Sequence, residues 1–84
     1  MKSSEEVRSV FEEALAIVDE REEMYGDAWK RGGLDISLPQ LFRKADRLRV
    51  QHNNGFTHTP KFKEDVLDLI NWAAFTYYHL EEKK

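Results

Sequence analysis

The stretch that decides the fold is the last third of the chain, Lys61-Phe-Lys-Glu-Asp-Val-Leu-Asp-Leu-Ile-Asn-Trp-Ala-Ala-Phe-Thr-Tyr-Tyr-His-Leu80. Thr59 and Pro60 come directly before it, and a threonine N-cap followed by proline is a favoured way for a helix to begin. The stretch contains no glycine and no proline, the two residues that most disfavour a helix interior. It therefore predicts one uninterrupted helix over about residues 60–81.

The apolar residues of this helix extend around most of its circumference. Leu67, Ala74 and Tyr78 lie on one flank, while Trp72 and Phe75 reach toward the back. A single short helical hairpin cannot cover so much apolar surface, so we expect third helices from two chains to meet in a homodimer or higher homo-oligomer. The alternative is a monomer that leaves these aromatic side chains exposed. At about 100° per residue, the broadest apolar face carries Phe62, Val66, Leu69, Ile70, Ala73, Tyr77 and Leu80.

Composition limits the class of protein. A length of 84 residues with 40% hydrophobic content predicts one small domain, residues 1–84, whose helical class follows from the periodicity of its apolar residues. The absence of cysteine excludes thiolate metal sites and fits a reducing compartment. No apolar run reaches membrane-spanning length and no signal peptide is evident, so we expect a cytoplasmic protein with no membrane partner. A net charge of −3 argues against nucleic acid as a partner, because nucleic-acid backbones are bound by basic surfaces.

Two more helices are predicted upstream. Apolar residues recur at helical spacing over about residues 4–25, and Gly26 then either ends that helix or marks a close packing contact. Ser37, with Pro39 behind it, predicts a second helix over about residues 37–53. Since no segment shows strand-like alternation, the fold class is all-α with three helices. The histidines, which share no metal-ligand spacing and are expected at the surface or in loops, are His52, His58 and His79.

Acidic residues are concentrated on two of these helices. Asp65 and Asp68 are three residues apart and lie side by side on one helical face. Two close carboxylates repel each other unless a lysine, a shared proton or a hard divalent cation such as Mg²⁺ lies between them. Acids also crowd the last turns of the first helix, where they oppose the helix dipole. They form either a solvated face or one that a cation neutralises, and they are Asp19, Glu20, Glu22 and Glu23.

Three motifs occur in order along the chain: Tyr25-Gly26-Asp27-Ala28-Trp29, Lys44-Ala45-Asp46-Arg47 and Glu64-Asp65-Val66-Leu67-Asp68-Leu69-Ile70-Asn71-Trp72-Ala73-Ala74. Together they resemble the nucleotide-modification-associated domain of phage and bacterial proteins, whose pattern is Tyr-Gly-x-x-Trp, Lys-x-x-Arg and Asp-x-x-Asp-x-x-Asn. That domain is similar in turn to the all-α nucleoside triphosphate pyrophosphohydrolases of the MazG type. The resemblance therefore implies a MazG-like helical bundle completed by homodimerisation.

The resemblance also implies which residues contact Mg²⁺. Asp65 and Asp68 match the later acidic motif and are the implied metal ligands. Either Asp19 and Glu22 or the pair one residue further on fits the earlier motif. We favour Asp19 and Glu22 because Glu22 lies at the edge of the apolar stripe. Glu23 is then the carboxylate that takes a proton from water.

The other implied roles concern the nucleotide. Lys44 and Arg47 are expected to contact phosphate oxygens, and Tyr25 and Trp29 to stack on a base, with Asn71 near the metal ligands. Each role has a simpler alternative. The two aromatic residues fit core packing equally well, and the two cations fit ion pairs with acids on the first or third helix.

The expected function is thus a Mg²⁺-dependent nucleotide-binding protein: a pyrophosphohydrolase of nucleoside triphosphates, or a relative that handles a modified nucleotide. The alternative is a non-catalytic dimeric helical scaffold, phage-derived, in which the acidic residues only keep the protein in solution. The sequence identifies neither the base nor the cleaved bond.

Overall fold

The computed structural model describes residues 3–82, and these residues form helices joined by short turns. The elements are α1 (Ser3–Tyr25), a 3-10 turn (Ala28–Lys30), α2 (Leu34–Asn53) and α3 (Pro60–Glu82). The predicted all-α class with three helices is confirmed. Of the domain predicted over 1–84, residues 1, 2, 83 and 84 lie outside the part that the structure describes.

Gly26 ends α1. Its φ angle of 62° is left-handed, a conformation that glycine adopts without a Cβ clash. Its N–H donates a 2.8 Å hydrogen bond to the carbonyl oxygen of Glu22, which satisfies one of the free carbonyls of the last turn. Of the two roles open to this glycine, the structure shows the helix end.

The second helix begins earlier than predicted, at Leu34 instead of Ser37. Gly33 provides the entry, because its left-handed φ of 57° turns the chain and its carbonyl accepts hydrogen bonds from the N–H groups of Ile36 and Ser37. Pro39 consequently lies inside the helix and not in its first turn. The glycine, and not the serine and proline, determines where α2 starts.

The third helix is the centre of the molecule. It begins as the sequence predicts, with Thr59 Oγ1 accepting a 3.1 Å hydrogen bond from the N–H of Phe62. The other two helices and the 3-10 turn all pack against it. Residues distant in sequence are therefore brought together along α3.

The polarity of α3 is the reverse of an ordinary core helix. Its buried side chains are Asp65, Asp68, Asn71, Thr76 and His79, which together we call the inner face. Its broad apolar face lies on the other side, half-buried or exposed. In residues 3–82 the buried hydrophobic side chain is Ala14, so one chain does not enclose an apolar core. The residues of this outer face are Phe62, Val66, Leu69, Ile70, Ala73, Tyr77 and Leu80.

None of the helices within residues 3–82 combines the length and the hydropathy needed to cross a membrane.

Candidate functional site

Asp65 is a fully buried carboxylate surrounded by donors from α2 and from its own helix. Its Oδ2 accepts a 2.8 Å hydrogen bond from Gln51 Nε2. Its Oδ1 lies 3.7 Å from Arg47 Nη2 and 3.3 Å from Lys61 Nζ. A carboxylate in such a position is stable only because these partners replace the water that burial removes.

The pKa of Asp65 reflects this balance. Burial raises the pKa, since it disfavours the charged form, but the Gln51 hydrogen bond and the neighbouring Lys61 and Arg47 lower it by more. The pKa of this carboxyl therefore lies below its ordinary value, and the group is ionised in the folded protein at neutral pH.

Asp68 is held in the same way by the other two helices. Arg21 Nη2 on α1 lies 3.5 Å from its Oδ1, and Lys44 Nζ on α2 lies 3.2 Å from its Oδ2. Cationic side chains thus relieve the repulsion between the paired carboxylates of α3. The contacts of Lys44 and Arg47 are those of the simpler alternative, ion pairs with acids on the third helix.

These groups form what we call the charge cluster. It combines four cations with two carboxylates, and 4 − 2 leaves a formal charge of +2. The excess favours anions over cations at this end of the inner face. Its members are Arg21, Lys44, Arg47, Lys61, Asp65 and Asp68.

A cleft of about 290 Å³ opens beside Asp68, between α1, the 3-10 turn and α3. Its volume is near the lower limit for small-molecule sites, which is about 300 Å³. Arg21 lies at its edge with its side chain 51% exposed, and the residue Tyr25 is 63% exposed. The lining is mostly apolar and aromatic, with a few polar groups. The residues that line the cleft are Ile17, Val18, Arg21, Glu22, Tyr25, Gly26, Ala28, Trp29, Ile36, Asp68, Asn71, Trp72 and Phe75.

One wall of the cleft is an aromatic cluster that fixes the 3-10 turn to α3. Trp29 stacks on Phe75 with ring centroids 4.2 Å apart and an interplanar angle of 15°. Trp72 meets Phe75 edge to face at 5.3 Å. One face of the Trp29 ring is therefore already covered by Phe75, whereas Tyr25 is exposed to solvent.

His79 corrects one expectation from the sequence. It was expected at the surface or in a loop, but it is only 2% exposed and lies on the inner face of α3. Its ring centroid is 5.7 Å from that of Trp29 and 5.6 Å from that of Tyr78. The prediction was wrong because a histidine without metal-ligand spacing can still be a core residue, here packed against aromatic rings.

The structure brings part of the predicted site together. Five of the ten predicted residues line the cleft, and three others, Lys44, Arg47 and Asp65, belong to the charge cluster. Asp19 and Glu23 do neither; both are exposed on α1. The five cleft residues are Glu22, Tyr25, Trp29, Asp68 and Asn71.

The predicted Mg²⁺ ligands divide between the cleft, the charge cluster and the exposed side of α1. Within residues 3–82, no group of three or more histidine, aspartate or glutamate side chains is arranged to hold a metal ion. Of the four predicted ligands, Glu22 and Asp68 share the cleft. Mg²⁺ commonly takes one or two carboxylates together with substrate phosphates. Both carboxylate oxygens of Asp68 are already paired with Arg21 and Lys44, so the described residues form no preformed metal site, and an ion in the cleft would need ligands from the nucleotide.

Several residues of the site were not singled out from the sequence. Arg21 is the most important, because it contacts Asp68 and also borders the cleft. The feature of the sequence that could have identified Arg21 is its position as a single cation within the apolar stripe of α1. Gln51 follows Arg47 at a spacing of one helical turn, which places it on the same face. For Trp72 and Phe75 the sequence predicts only apolar surface on the third helix.

A scan against protein-family models and searches of curated proteins and of solved structures give no match to this chain.

Proposed function

We propose that this chain binds a nucleotide in the cleft between α1, the 3-10 turn and α3, as a MazG-like nucleotide-handling protein of the cytoplasm that works as a homodimer. The observation that carries the proposal is the convergence of residues from separate motifs. Glu22, Tyr25 and Trp29 come from one segment, Asp68 and Asn71 from another, and all five line one cleft.

The apolar part of the cleft suits a base. Tyr25 is exposed, and Trp72 adds a second aromatic side chain to the lining of the cleft. Aromatic faces bind bases by stacking, which removes apolar surface of both partners from water. One face of Trp29 is stacked on Phe75, so only its other face could contact a base; Trp29 mainly holds the aromatic side of the cleft in place.

The charged part suits phosphate. Arg21 is half-exposed at the edge of the cleft, and Lys44 lies behind it against Asp68. A guanidinium binds phosphate through charge-assisted hydrogen bonds, and Lys44 and the other two cations of the charge cluster add positive charge elsewhere in it. Mg²⁺ bound to the phosphates would offset negative charge of the phosphates and of the carboxylates of Glu22 and Asp68. Glu23, the expected proton acceptor, does not line the cleft, so the proposed activity is nucleotide binding without an assigned catalytic base.

The alternative function is a non-catalytic interaction module, in which α3 serves only assembly. One observation favours it: the contacts of Lys44 and Arg47 with Asp68 and Asp65 fit a purely structural role. In that case the cleft is a packing gap and the outer face of α3 is the functional surface.

Thermal unfolding with a panel of nucleoside mono-, di- and triphosphates, each with and without Mg²⁺, distinguishes nucleotide binding from the non-catalytic interaction module. A ligand that binds only the folded protein raises the midpoint, by several degrees at saturating concentration. Tyr25→Ala should abolish the shift, whereas Phe42→Ala, which removes an equally exposed ring from α2, should preserve it. Release of phosphate or pyrophosphate from the same samples reports turnover. No shift with any nucleotide would exclude the binding proposal.

A further inference from the structure

We infer that the outer face of α3 is the contact surface for a second copy of this chain, with the two α3 helices antiparallel about a two-fold axis close to Ala73. The inference rests on the homodimer of the proposed function and adds its geometry.

The first argument is the position of the apolar surface. The inner face of α3 buries its carboxylates and amide against α1 and α2, while Tyr77 is 64% and Leu80 54% exposed on the outer face. Burial of apolar surface is the main driving force of folding and association. Part of the outer face is already half-buried within the chain, and a partner that covers the rest adds to that driving force.

The second argument is that the outer face is complementary to itself. Val66 and Leu80 are equally far from Ala73 along the helix, seven residues before and seven after it. Leu69 and Tyr77 are likewise four residues before and four after. A two-fold axis at Ala73 therefore opposes Val66 with Leu80 of the partner subunit, and Leu69 with Tyr77 of the partner subunit. The small Ala73 side chain lets the two helices approach closely at the axis.

The third argument is the charge at the rim, and it selects the antiparallel orientation. Lys63 and Glu81 are exposed and 18 residues apart, which is five full helical turns, so they lie on the same side of α3. An antiparallel pair brings Lys63 beside Glu81 of the partner subunit, twice in each dimer. A parallel pair would leave Lys63 and Glu81 of the partner subunit at opposite ends of the two helices, so no such charge pair would form.

A cysteine cross-link tests the axis directly, because the chain contains no cysteine of its own. A disulfide forms only where two Cα atoms come within about 7 Å. Ala73→Cys should give a covalent dimer under mild oxidation. Ala45→Cys, the same change at an exposed position of α2, should remain uncross-linked. The reverse result would place the axis elsewhere.

Sedimentation of charge variants tests the orientation. Lys63→Glu should raise the dimer Kd about tenfold, since two pairs per dimer become repulsive. The double variant Lys63→Glu/Glu81→Lys should restore it, and Arg43→Glu on α2 should leave it unchanged. A wild-type chain that is monomeric at micromolar concentration would refute the homodimer itself. A wild-type dimer with no cross-link in the Ala73→Cys variant and no rescue by the double variant would refute only this geometry.

Discussion

Asn71 on α3 donates a 3.0 Å hydrogen bond from Nδ2 to the carbonyl oxygen of Ala14 on α1, 57 residues away in sequence. Ala14 is also the side chain that α1 buries. At Ala14, therefore, α1 and α3 are joined both by burial of an apolar side chain and by a hydrogen bond. It also fixes the position of α1 relative to α3, and so the width of the cleft that both helices line.

Replacing Asn71 by alanine should lower the free energy of unfolding by about 1 kcal/mol, the usual net contribution of one hydrogen bond. The Ala14 carbonyl belongs to a helix and retains a backbone partner, which keeps the loss moderate. Urea unfolding at fixed protein concentration measures it. Asn53→Ala at the exposed end of α2 is the matched control, expected to change stability by less than about 0.5 kcal/mol. Equal losses in both variants would show that the Asn71 bond contributes nothing.

The stability of the protein should fall in acid partly because of Asp65. Its pKa is lower in the folded chain than in the unfolded chain, so its contribution is complete above the ordinary aspartate pKa of about 3.9. The contribution is lost as the pH falls through the folded-state pKa, when the buried carboxylate must be protonated. Unfolding free energies measured between pH 7 and pH 2 should therefore decline less steeply for Asp65→Asn than for the wild type.

Asp46→Asn provides the comparison for that measurement, because Asp46 is an exposed carboxylate on α2 that pairs with Arg49 at the surface. Its pH dependence should follow the wild type closely. The comparison concerns slopes and not absolute stabilities, since Asp65→Asn also leaves Arg47 and Lys61 without their buried partner. A slope unchanged by Asp65→Asn would contradict the lowered pKa.

The stacked pair Trp29 and Phe75 should show energetic coupling. A double-mutant cycle with Trp29→Leu and Phe75→Leu should give an interaction energy of about 0.5–1.5 kcal/mol, the usual contribution of an aromatic pair beyond its burial. The cycle that pairs Trp29→Leu with Phe42→Leu should be additive, because Phe42 is exposed on α2. Additivity in the first cycle as well would mean that the 3-10 turn is not anchored to α3 by this stack.

Local signals in the sequence determined the helices. Thr59 caps α3 and Gly26 ends α1, and each effect depends only on the chemistry of that residue and its immediate neighbours. The start of α2 was missed because glycine and serine both offer a helix entry, and only the full backbone path shows that Gly33 provides it. The convergence of Tyr25 with Asp68 and Asn71 was expected from a resemblance of motifs. Arg21 and Phe75 became part of the site only in three dimensions.

The sequence by itself determined that Asp65 and Asp68 share one side of α3 and that the broadest apolar face lies on another, because helical periodicity assigns each residue to a side of the helix. Only the tertiary structure decided which side faces inward. Periodicity does not specify what packs against a face, and hydrophobicity alone would have buried the apolar one. The polar side is inward because Arg21, Lys44 and Gln51, from two other helices, supply the partners that Asp65 and Asp68 need once water is excluded.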